Sequence, residues 1–110
     1  MTVAFYSKQA TPPAPSAATA PAGPYTTATP VTVSWGIYNG CPAGQTLAGY
    51  NFTVVNGTPV DDNPILPANH TEQINPTAPG TMKVTYTAIC GTDPNVLESS
   101  PSPELDVTIS

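Results

Sequence analysis

Fifteen of the 110 residues are proline, against about 5% in average usage. Proline removes a backbone donor and its ring clashes with the preceding helical turn. Such a content argues against an all-helical fold and for strands, turns and extended segments. The prolines concentrate first in PPAPSAATAPAGP, residues 12–24, which holds five prolines, five alanines and no charge. Their spacing favours polyproline II or extended backbone, and alanine offers little to a core. Residues 1–30 are therefore expected to form an extended arm. A short strand over residues 2–7 of MTVAFYS would place Val3 and Phe5 on one face.

From residue 31 the pattern changes to period two, the signature of half-buried strands. VTVSWGIY places Val31, Val33, Trp35 and Ile37 on one face, and Asn39-Gly40 marks a turn. GYNFTVV places Tyr50, Phe52 and Val54 inward, followed by Asn56-Gly57, a hairpin signal. Residues 58–69 read as a loop, HTEQI (70–74) as a weak strand, and Pro79-Gly80 as a turn. MKVTYTAIC puts Met82, Val84, Tyr86, Ala88 and Cys90 on one face. Residues 91–103 read as a long loop. ELDVTI closes the chain with Leu105, Val107 and Ile109 inward. No helix of ten residues and no internal repeat is visible, and the length suits one domain with a thin core.

Charge narrows the function classes. Two Lys or Arg against seven acids leave a net charge of −5, which disfavours nucleic acid and anionic membranes as partners. No stretch approaches the ~20 apolar residues that span a bilayer. The start MTVAFYSKQATPP lacks the basic and apolar regions of a signal peptide. It reads as the start of a cytosolic product, or as a piece of a longer secreted chain. Two cysteines are too few for a disulfide scaffold and lack zinc-site spacing. A single bridge between them would place the mature protein outside a reducing cytosol.

The order VTVSW, GYNFTVVNG, PGTMKVTYTA, SPSPELDVTI resembles a fibronectin type III domain or a close immunoglobulin-like relative over residues 30–110. Trp35, Tyr50 and Pro79-Gly80-Thr81 match that family's motifs in position and spacing. The tyrosine-corner position holds Met82 or Lys83 instead of Tyr, a departure from the pattern. The first strand falls at residues 2–7 or near Ala17–Ala20. The resemblance implies an all-β, antiparallel seven-strand sandwich over 31–110, used for adhesion, spacing or display, with no cofactor. It also places Cys41 and Cys90 at one pole, where they are expected to form a disulfide. Trp35 is expected at the centre of the core.

Catalysis and metal binding find little in these residues. His70, the only histidine, sits in ANHTE with no nucleophile motif beside it and reads as a surface loop residue. Asp61, Asp62, Asn63 and Glu72 lack the alternating spacing of a calcium loop and read as a solvated acidic turn. Asn51-Phe-Thr, Asn56-Gly-Thr and Asn69-His-Thr are glycosylation sequons in a threonine-rich chain, where chance supplies such triplets. No residue pattern singles out a carbohydrate site. Tyr6, Tyr25 and Tyr38 are not forced inward by the alternation, and tyrosine suits interfaces.

Two functions are expected. One is a structural or accessory protein of a larger assembly, a phage capsid or tail foremost, or of a homo-oligomer at the virion surface. It would dock through Val3, Phe5, Tyr6 and Tyr25 of an arm that does not complete its own core. The other is a spacer or adhesion module of a secreted or cell-surface protein, such as a polysaccharide-degrading enzyme.

Overall fold

The computed structural model describes residues 11–60, 67–91 and 96–110. Those residues hold seven strands and no helix: β1 Val31–Ser34, β2 Leu47–Val55, β3 Gly57–Pro59, β4 Thr71–Pro76, β5 Gly80–Cys90, β6 Leu97–Glu98 and β7 Leu105–Ile109. One antiparallel sheet has the order β1-β4-β3. The other has β5 at its centre, with β2 on one side and β6 then β7 along the other. Buried residues of both sheets form one cluster, an arrangement compatible with a β-sandwich.

The longest alternating runs carry the core. Met82, Val84, Tyr86, Ala88 and Cys90 of β5 are all buried, opposite Tyr50 and Phe52 of β2. Trp35 sits among three of these rings, with centroid separations of 5.5 Å to Tyr50, 4.7 Å to Phe52 and 5.8 Å to Tyr86. Edge-to-face and tilted pairs of this kind suit the aromatic quadrupole. Val31, Val33 and Ile74 close the core from the other sheet.

Four expectations are corrected. The first strand of the alternating series stops at Ser34, and the burial phase shifts after Trp35. Ile37 is 65% exposed and Tyr38 is buried in its place. Asn56-Gly57 does not turn a hairpin, because β2 and β3 belong to different sheets. It is a corner: Asn56 takes φ 64°, and its amide donates to Ala78 O at 2.8 Å and accepts from Ala78 N at 3.1 Å. Gly57 is required there, since a Cβ would lie 2.7 Å from Met82 Sδ and 2.9 Å from Ile74 Cγ2.

Thirdly, residues 58–69 begin within β3, and residues 91–103 contain β6. The chain from Ser99 to Ser102 also continues along β5, although Pro101 and Pro103 have no N–H. Serine hydroxyls replace the missing ladder. Ser99 Oγ accepts from Ala88 N at 2.8 Å and Ser102 Oγ from Tyr86 N at 3.0 Å. The same hydroxyls donate to Ser100 O and Pro103 O, while Ser99 N and Ser102 N donate to Ala88 O and Tyr86 O. Both serines are buried.

Fourthly, residues 11–30 do not stand away from the core. Thr19 bridges β1 antiparallel at Ser34, and Tyr25 bridges β7 parallel at Ile109. Ala18 and Tyr25 belong to the buried cluster. Of the two placements left open for the first strand, the one near Ala17–Ala20 coincides with the Thr19 bridge. The other, residues 2–7, lies outside the described residues.

Candidate binding surface

Pro12, Pro15 and Ala18 are buried while Pro13, Ala14, Ser16, Ala17 and Thr19 are exposed. Burial every third residue is the period of a polyproline II helix lying on one face. The hydrogen bonds keep the same beat. Pro13 O accepts from Tyr38 Oη at 2.6 Å, Ser16 O from Tyr86 Oη at 2.6 Å and Thr19 O from Ser34 N at 2.8 Å. A proline-rich strip has few donors, so it is held by its carbonyls, and tyrosine hydroxyls supply the protons.

Those hydroxyls are well suited to the task. Burial raises the Tyr38 pKa. Burial, and secondarily the charge of Tyr50, push Tyr86 up to about 12, so both remain donors throughout the physiological range. Tyr38 is itself fixed by its backbone N–H, which donates to Tyr50 Oη at 3.1 Å. After Thr19 the chain crosses to β7. There Ser110 N donates to Tyr25 O at 2.8 Å and Tyr25 Oη donates to Pro21 O at 2.6 Å. Tyr25, expected to contact a partner, is thus buried on the chain's own last strand, because the parallel bridge turns its ring inward. Val3, Phe5 and Tyr6 lie outside the described residues.

Cys41 and Cys90 form a disulfide with Cα atoms 5.5 Å apart. Cys90 ends β5 opposite Leu47, and Cys41 lies in the segment between β1 and β2, so the bridge ties that crossing to the central strand. The tyrosine strip begins beside it at Tyr38.

His70 is half-buried just before β4, where its carbonyl accepts from Trp35 N at 3.0 Å. No group of three His, Cys, Asp or Glu that could hold a metal occurs among the described residues. Glu72, expected in a solvated turn, is only 2% exposed, because the alternation of β4 turns Glu72, Ile74 and Pro76 inward. Asp61, Asp62 and Asn63 lie outside the described residues. Of the sequon asparagines, Asn69 is exposed, Asn51 is half-buried in β2, and the Asn56 amide is engaged with Ala78. The three-residue beat was visible as Pro12, Pro15 and Ala18; the tyrosines that read it were not, because they lie far along the chain.

Comparison of the chain with protein-family models, curated proteins and solved structures finds no significant match.

Proposed function

We propose that this chain is a non-enzymatic structural or binding module, an immunoglobulin-like domain that decorates or joins a larger assembly, with a phage capsid or tail as the foremost setting. The fold reading is supported by the strand order. With the arm beside β1, the order arm-β1-β4-β3 against β2-β5-β7 follows the constant-type immunoglobulin arrangement.

One observation carries the functional reading. The chain from Gln9 to Val60 contains no Asp, Glu, Lys, Arg or His, yet exposes Ile37, Val55 and Val60. The net charge of −5 is carried wholly by the remainder. Such a molecule has an uncharged portion that is desolvated at little expense and an acidic portion that favours solubility. Docking by the uncharged portion would leave the acidic part displayed. Because residues 12–25 are engaged on their own domain, the docking contacts are assigned to the exposed apolar residues of this stretch, Ile37 near the Cys41–Cys90 end and Val55 beside Lys83 at the other.

The second reading, a spacer or adhesion module of a secreted or cell-surface protein, is favoured by the Cys41–Cys90 disulfide, a bond of oxidising compartments. Gradient sedimentation of the native chain from its own source separates the two. Cosedimentation with a particle far larger than 11.3 kDa, lost in an Ile37→Glu/Val55→Glu variant, is expected for the assembly protein. Recovery only within a longer polypeptide identifies the spacer, and a free 11.3 kDa species overturns the assembly reading.

A further inference from the structure

The strip that holds residues 12–19 is complete on the body of the domain without them. It consists of the Tyr38 and Tyr86 hydroxyls, the Ser34 backbone and the Ser100 amide, supplying donors to carbonyls 13, 16, 19 and 12, with Ser34 O accepting from Thr19 N. Aromatic strips of this type recognise Pro-x-x-Pro segments in polyproline II form, and Pro12 and Pro15 are such a pair. The ligand is joined to the body by Ala20–Pro24. Pro21, Ala22, Gly23 and Pro24 are exposed, and an open groove of about 410 Å³ lies between this connection and Leu105–Thr108 of β7. Swinging the connection about Tyr25, which stays on β7, breaks the Tyr25 Oη–Pro21 O hydrogen bond and takes Ala18 out of the core, a vacancy that the second copy's Ala18 refills.

We propose that Pro12–Thr19 is an exchangeable ligand, and that the Tyr38–Tyr86–Ser34 strip binds the same segment of a second copy of this chain. The fit of ligand to strip is the fit already seen within one copy. Neither carries a charge, so two copies meet there without local repulsion despite the net −5. Mutual exchange is isologous and closes on itself as a two-fold dimer. Within one copy the arm acts at an effective concentration in the millimolar range. Dilute chains thus keep their own arm, and exchange prevails where copies are crowded to about that concentration. This inference rests on the arm and its strip, and stands whether or not the domain decorates an assembly.

The test uses the full chain. At about 1 mM, isotope-filtered NMR of mixed labelled and unlabelled chains is expected to show contacts from Pro12–Thr19 of one copy to the Tyr38 and Tyr86 rings of another. A full-length Ala18→Asp variant, whose arm cannot bury residue 18, is expected to bind a peptide of residues 11–20 at least tenfold more tightly than the native chain does. Adding Tyr38→Phe or Tyr86→Phe should weaken that binding about three- to tenfold each, the loss of one hydrogen bond. The NMR arm needs no variant, so a misfolded Ala18→Asp chain leaves the proposal exposed to refutation. A chain that stays monomeric at about 1 mM, a dimer with both arms retained on their own bodies, or tighter binding of an unrelated Pro-x-x-Pro peptide than of the chain's own segment would each overturn it.

Discussion

Ser99 and Ser102 do the work of backbone. Each hydroxyl accepts a β5 amide proton and passes its own proton to the next carbonyl, so a stretch interrupted by prolines still satisfies the central strand. Replacing either with Ala leaves the Tyr86 or Ala88 N–H buried and unpaired. Each substitution is expected to lower stability by about 1–3 kcal/mol, measured by urea unfolding. Trp35 makes a contrasting case, because its Nε1 is buried with no acceptor among the described residues. Trp35→Phe forfeits area but no hydrogen bond and is expected to retain most of the stability. Trp35→Ala opens a cavity among three rings and should cost about 3–5 kcal/mol. Equal losses in the two variants would contradict this account. The tryptophan's place was legible from the alternation around it. The serines were not, because nothing in a Pro/Ser loop pattern announces which hydroxyl will stand in for a ladder.

Elements with an uninterrupted alternation were legible in full, as β5 shows, where all five expected residues point inward. Legibility failed where the alternation broke: burial passed from Ile37 to Tyr38 once the strand ended at Ser34, and Asn56 sent the chain between sheets instead of back along its neighbour. The arm was legible as polyproline II but not as part of the domain, because the donors that hold it come from β1, the β1–β2 link, β5 and Ser100, all far along the chain. Its attachment predicts a pH response. Tyr86 titrates at about 12 in the folded chain, above its ordinary value of 10.0, and Tyr38 is raised as well. For a raised tyrosine the unfolded chain loses its proton first. The stabilisation is therefore whole below pH ~10 and is lost as pH rises from there towards ~12. Thermal unfolding followed by circular dichroism is expected to show a midpoint insensitive to these tyrosines below pH 9 and falling above pH 10, with a smaller fall in Tyr86→Phe.

At the scale of the whole molecule, the disulfide joins residues 49 apart and closes a loop that includes β2, β3, β4 and β5. In the chain-entropy account such a loop contributes about 4 kcal/mol, a large share of a small domain's stability. Reduction is expected to lower the urea midpoint accordingly, and an unchanged midpoint would show that the packed sheets suffice alone. The two-sheet architecture was readable from the alternating runs; the resemblance implied seven strands, but the observed seven include β6, which reads as loop in the sequence, in place of a first strand in the arm. The closure of its flank was not, since that depends on a segment read as leading outward. The arm also marks where the fold ends. An edge strand recruits the next strand by offering a row of amide protons, and Pro12, Pro13 and Pro15 have none to offer. A chain so poor in charge on this side would otherwise be a template for cross-β stacking. Restoring amides with Pro12→Val/Pro13→Val/Pro15→Val is expected to make the chain form thioflavin-positive fibrils where the native chain forms none. The prolines act as a selvedge, the finished border beyond which the weave cannot continue.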